Sequence, residues 1–215
     1  MRSRFDGQLS LLNEKMISMG EQCVSVIELA AQAMYTADVS LAKEVIEQGA
    51  HIDAMEREIE SICLKLLLSQ QPVAKDLRVV SAALKMITDM ERIGDQAEDI
   101  AEIITFLGGK TLAPAKDIRL MADTATQMVI RSVNAYVMQD VTAARAVVEE
   151  DDIVDDAFVR IKQHIIELIS KNTADGEIAV DLLMIAKYFE RIGDHATNIA
   201  EWVEYSVTGV HPKSE

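Results

Sequence analysis

Glu91 with Asp95 and Glu190 with Asp194 form two carboxylate pairs, each spaced by four residues and each set in the same pentapeptide, Glu-Arg-Ile-Gly-Asp. On an α-helix that spacing stacks the two side chains on one face. Carboxylates held together repel one another, and coordination of a cation by their oxygens relieves the repulsion. At about 100° per residue, Glu91, Asp95, Asp99 and Glu102 share an arc of about 80°. Met90, Ile93, Ala97, Ala101 and Ile104 fall on the opposite side. The stripe is thus expected on an outer face. Glu190, Asp194, Asn198 and Glu201 repeat it.

A third acidic group strengthens the pattern. Glu149, Glu150, Asp151, Asp152, Asp155 and Asp156 crowd one stretch, with Asp151 and Asp155 again four apart. A solvated helix face is the ordinary account of a charged stripe. Against it, each like-charged i,i+4 pair destabilises a helix by roughly 0.2–0.5 kcal/mol, yet the spacing persists in both copies. Converging carboxylates with no balancing lysine would suit magnesium, manganese, calcium or iron. Zinc is less favoured without cysteine or paired histidine ligands.

The pentapeptide is one of two matched blocks. Glu91 to Glu102 aligns with Glu190 to Glu201, 99 positions apart, and Asp38 to Asp53 aligns with Asp140 to Asp155, 102 positions apart. The chain is therefore a tandem duplication, with three residues lost from the second copy near the loop that Gln70-Gln71-Pro72 would form. In the first copy Asp151 is matched by Gly49, so Asp53 is the one carboxylate that the pair retains.

The elements needed to position these residues are helices. The sequence of 215 residues is 49% hydrophobic but only 4% aromatic, with 11 Met and 3 Pro. This is an all-α composition. Periodicity predicts helices over Phe5–Tyr35, Ser40–Ser69, Pro72–Leu107, Asp117–Met138, Thr142–Lys171 and Gly176–Val207, with Asp38 or Ser40 capping the second. Gly49 is expected to interrupt the second helix, and Gly108-Gly109 to end the third. Short connections imply antiparallel neighbours. The expected fold is two tandem pseudo-symmetric three-helix bundles, residues 1–109 and 110–215, meeting near Lys110 to Ala115.

Other residues have structural readings. Gly94 and Gly193, mid-helix, suggest close helix approaches. Arg92 and Arg191 are expected to pair with neighbouring acids, and His51 and His195 to be surface residues before ligands. The net charge of −15 argues against nucleic acid and against a free anion as ligand, and favours cations or a basic protein surface. Cys23 and Cys63 are too few for a disulfide framework, which suits a reducing cytosol. The N-terminus lacks an apolar signal core, and no segment is apolar enough to span a membrane.

The doubled Glu-Arg-Ile-Gly-Asp block, Gln71-Pro72 followed by Asp76-Leu77-Arg78, and the acidic second helix of each repeat resemble the PhoU family of phosphate-uptake regulators. That resemblance implies surface metal motifs of the Glu/Asp-xxx-Asp type. Glu91 with Asp95 and Glu190 with Asp194 would each supply one, and Asp151 with Asp155 the second repeat's partner. Asp53, with Glu56, would remain for a weaker first site. The metal could be iron, manganese, magnesium or zinc. The resemblance also implies a cytoplasmic homodimer without catalytic residues. It would repress the phosphate-starvation response between a phosphate ABC transporter, through its ATPase, and a sensor histidine kinase.

Two other readings compete. A carboxylate-bridged metalloenzyme would need inward Glu-x-x-His pairs, and none of the four histidines has Glu three residues before it. A metal-free helical scaffold that docks basic partners is separated from the metal-binding reading only by metal analysis.

Overall fold

The computed structural model describes residues 2–69, 73–110, 116–171 and 176–212. Six helices follow one another: α1 (Arg2–Thr36), α2 (Val39–Ser69), α3 (Ala74–Leu107), α4 (Lys116–Met138), α5 (Val141–Lys171) and α6 (Gly176–Thr208). The helices α1–α3 pack on one another, as do α4–α6, which gives the expected pair of three-helix bundles. The bundles join through α1 against α4 and, most extensively, α3 against α6. No helix is long and apolar enough to cross a membrane among the described residues.

The pseudo-symmetry reaches the backbone of the turns. Ala37 and Gln139, 102 positions apart, both adopt left-handed geometry, with φ of 52° and 54°. Each ends a helix, and the following Asp38 and Asp140 amides donate to Ala33 O at 3.0 Å and Ala135 O at 2.9 Å. Those two aspartates then cap the next helix. Asp38 Oδ1 accepts from the Ser40 amide at 2.8 Å, and Asp140 Oδ1 from the Ala143 amide at 3.0 Å. Asp38, rather than Ser40, is thus the cap of α2. Gly108 ends α3 at a φ of 59°, its amide bonded to Thr105 O.

One expected break is absent. Gly49 lies within an unbroken α2, because one glycine costs a helix only about 1 kcal/mol when its neighbours are good formers. The positions of Pro72, of Gln70-Gln71, and of Thr111 to Ala115 at the bundle boundary lie outside the described residues.

A single apolar core runs through both bundles, built of methionine, isoleucine, valine and alanine, with Tyr136 and Phe189 the largest fully buried side chains. Between α3 and α6, Asp89 meets His195 and Asn198, while Ala97, Ala101, Ala196 and Ala200 are buried in the core. The carboxylate stripes flank that packing.

Candidate metal centre

In the first repeat, α2 brings Asp53 against Glu91 and Asp95 of α3. One carboxylate oxygen from each lies within 4.8 Å of the others, and all three side chains are half-buried. The close approach has a local cause. A Cβ on Gly94 would sit 2.9 Å from Cδ1 and 3.3 Å from Cγ2 of Ile52. Ile52 precedes Asp53, and Gly94 precedes Asp95. The missing side chain at 94 therefore seats the two helices at the height where their aspartates meet.

A fourth carboxylate arrives from a position the sequence did not single out. A Cβ on Gly49 would lie 1.3 Å from Oε1 of Glu98. Glu98 thus lays its carboxylate in the notch that Gly49 leaves in α2. In the second repeat the corresponding pair is Asp151 on α5 and Thr197 on α6. The carboxylate has changed helices between the repeats while serving the same region.

Electrostatics mark the first cluster as strained when bare. Burial, followed by the nearby Asp95, Asp53, Glu102 and Asp99 charges, pushes the Glu98 carboxyl up to about 7. Glu91 is raised by burial and then by Asp95, with Arg92 opposing. Glu56 is raised chiefly by burial, then by Glu60 and Asp53, while a bond from Thr88 pulls it down. Arg92 contacts Asp95 at 3.0 Å and Glu91 at 3.4 Å from an exposed position, as expected. Asp99 sits apart from the triple. Burial and Glu102 raise it, and Arg191 of α6 partly offsets them.

The second repeat is built differently. Here it is Asp151 that approaches the glycine: a Cβ on Gly193 would meet Asp151 Oδ1 at 2.9 Å. Burial, then Asp194 and Asp155, pushes the Asp151 carboxyl up to about 6. Asp155 is raised by burial and then by Glu190. Lys187, one turn before Glu190, pairs with it and lies 5.4 Å from the centre of the Phe158 ring. The expectation of converging carboxylates without a balancing lysine therefore does not hold in this repeat. Asp155, Glu190 and Asp194 do not gather as tightly as Asp53, Glu91 and Asp95, the one such group among the described residues. The tighter cluster is in the first repeat, despite Gly49.

The ends of the α6 stripe turn away from solvent. Glu201 is buried, at 7% exposure, rather than on the outer face, because this end of the stripe curls into the packing of α6. Asn198 Nδ2 donates to Asp89 Oδ1 at 3.1 Å, and His195 Nδ1 lies 2.9 Å from the same oxygen. Asp89 of α3 thereby fastens α6 to α3. These contacts were not visible in the repeat, since Asp89 is matched by Tyr188. Arg92, Gln96, Arg191, Asp194 and Glu201 border an open cleft of about 700 Å³ there. His51 lines a separate cleft with Gln22, Gln48 and Glu58.

The donor set at Asp53, Glu91 and Asp95 is all oxygen and carries negative charge, which fits a hard or borderline cation. The PhoU domain family matches residues 16–104 and 118–203, one domain per bundle. The chain belongs to the PhoU family. Among its relatives, the phosphate-specific transport system accessory protein PhoU homolog of Clostridium acetobutylicum is 34% identical over 210 residues, covering 97% of this chain and 96% of that protein. The homolog of the same name from Synechocystis is 35% identical over 211 residues, covering 97% and 93%. The crystal structure of PhoU from Pseudomonas aeruginosa superimposes with a TM-score of 0.91 at 29% identity, covering 96% of this chain and 100% of that one. The phosphate transport system regulatory protein PhoU from Streptococcus pneumoniae gives 0.90 at 25% identity, covering 96% and 98%. The PhoU fold and the doubled motif thus arrive together.

Proposed function

We propose that this chain is a metal-binding regulator of phosphate uptake, acting in the cytoplasm as a non-catalytic adaptor. It would hold down the phosphate-starvation response by linking the ATPase side of a phosphate ABC transporter to a sensor histidine kinase. The observation that carries the reading is the cluster of Asp53, Glu91 and Asp95 on a PhoU bundle. Three carboxylates gathered at half-buried positions gain stability from a cation that neutralises them, and a cation bound there ties α2 to α3.

In this reading Asp53, Glu91 and Asp95 hold the first metal, with Glu98 at its edge. Asp151, Asp155, Glu190 and Asp194 hold the second once Lys187 gives way. Asp99 and Asn198 border the sites. The metal supplies positive charge and links the helices, while the protein sets which helices are linked. Iron, manganese and magnesium suit the oxygen donors better than zinc. The homodimer implied by the family resemblance is part of this proposal.

The test is a host strain lacking the chain, carrying a reporter driven by a phosphate-starvation promoter. The reporter should be on in phosphate-replete medium and silenced by the wild-type chain. Glu91→Ala/Asp95→Ala/Glu190→Ala/Asp194→Ala, expressed to the same level, should leave it on. Silencing by that variant would remove metal from the function, and a reporter that stays off in the deletion strain would remove phosphate control.

A further inference from the structure

The two repeats differ on the outer face that continues from the metal centre towards the α2–α3 and α5–α6 turns. In the second repeat, Val159 and Ile166 on α5 lie within about 80° of Asp151 around the helix. Val180 and Met184 on α6 lie within about 120° of Glu190 on the same basis. All four are exposed, at 50%, 61%, 52% and 40%. Asp155 faces Glu190 and Phe158 faces Lys187. In this antiparallel register Ile166 and Val180 stand at one height, and the exposed side chains extend along the outer side of the pair away from the acidic centre. At the matched positions of the first repeat stand Arg57, Leu64, Ser81 and Lys85. Leucine at 64 keeps the outer end apolar there, but the part beside the carboxylates is charged and polar. The pseudo-symmetry that preserves the core and the Glu-Arg-Ile-Gly-Asp blocks is broken at the surface, so packing within the bundle does not require the apolar residues.

We propose that this α5–α6 strip is a docking surface for an amphipathic helix of a partner protein, apolar on one face and lysine- or arginine-rich along its edges. The charge around the strip selects that occupant. Asp152 and Asp156 flank Val159, and Glu177 and Asp181 flank Val180. Lys187 within the strip is held by Glu190, and Lys162 and Arg191 are the further basic residues on this face among the described residues, with Arg191 stacked on Tyr188. A second copy of the chain would bring a like-charged rim and another net charge of −15 against it. A basic amphipathic helix instead buries its apolar ridge on the strip while its cations meet the aspartates. This inference stands on the surface asymmetry and does not rest on the metal reading.

The test uses a synthetic helical peptide of about 18 residues, with leucine on one face and lysine on the other, and a scrambled peptide of equal composition and charge. The full chain should bind the amphipathic peptide at least about tenfold more tightly than the scramble. Val159→Ser/Val180→Ser/Met184→Gln, which leaves the charge unchanged, should lose that preference while keeping its helicity and metal content. Equal binding of both peptides, or an unchanged preference in the variant, would overturn the proposal. So would sedimentation showing that the substitutions dissociate an oligomer, since the strip would then be covered by a second copy. A wild-type chain that binds no metal yet prefers the amphipathic peptide would count against the metal reading alone.

Discussion

Glu98 and Gly49 form a lock across two helices: the Glu98 carboxylate oxygen lies 1.3 Å from where a Cβ on Gly49 would be. The second repeat solves the same problem in reverse, with Asp151 on the α2-like helix and Thr197 where Glu98 would stand. A carboxylate reaches each site by a different route.

This relationship separates two glycines that look alike in the sequence. Gly49→Ala displaces only the end of a flexible side chain and gains helix propensity. Its stability should stay within about 1 kcal/mol of wild type, while Glu98 is expelled and its carboxyl returns towards the ordinary range. Gly94→Ala drives a methyl group into buried Ile52 and should cost about 1–3 kcal/mol. Denaturant unfolding of both variants, with NMR titration of Glu98, checks the pair.

Acid should stabilise the metal-free protein over a defined range. Glu98 titrates at about 7 and Asp151 at about 6 in the fold, against 4.5 and 3.8 for ordinary Glu and Asp side chains. The native state therefore binds more protons than the unfolded chain between those limits, and stability falls as pH rises through the window. The melting temperature of chelator-treated protein should decline from pH 5 to pH 7.5. Glu98→Gln should flatten the upper part of that decline. A saturating divalent cation should reverse the trend, because deprotonated carboxylates bind it better.

Lys187 is paired with Glu190 and would compete with a cation bound there. Its counterpart in the first repeat is Thr88, so Lys187→Thr restores a residue that the fold accepts there. Metal affinity at the second site should rise roughly two- to fivefold, the size of an ion pair of about 0.5–1 kcal/mol. Isothermal titration on a background of Glu91→Ala/Asp95→Ala isolates the second site.

Neither cysteine should react in the native state. Cys23 and Cys63 are buried, and burial pushes each thiol up to about 12. Cys23 also donates to Met90 O at 3.3 Å, which occupies its proton. Thiol reagents should label both only after denaturation.

Much of this organisation was legible in the chain. The six helices, their duplication and the Gly94 close approach follow from periodicity, matched blocks and the cost of mid-helix glycine. The members of the first cluster were legible, because Asp53, Glu91 and Asp95 all sit in matched blocks, but Gly49 pointed to a weaker first site where the structure has the tighter one. Glu98 escaped because the repeat aligns it with a threonine. The available signal was reciprocal: an acid lost at 49 and gained at 98. Lys187 was visible one turn before Glu190 but lay outside the identical block. Asp89 was not legible, since its partners His195 and Asn198 come from a helix in the other repeat. Burial of Glu201 follows from packing between helices, which a single helical wheel does not contain.

Metal titration decides whether the carboxylate clusters hold metal. Protein stripped with chelator and reloaded with manganese or iron would be analysed by elemental mass spectrometry, alongside Asp53→Asn/Glu91→Gln/Asp95→Asn and Asp155→Asn/Glu190→Gln/Asp194→Asn. Metal should bind to the wild type, with one repeat's share lost from each variant and the tighter share lost from the first. A wild type that retains no metal after reloading, or variants that match it, would contradict the account and leave the stripes as acidic surface.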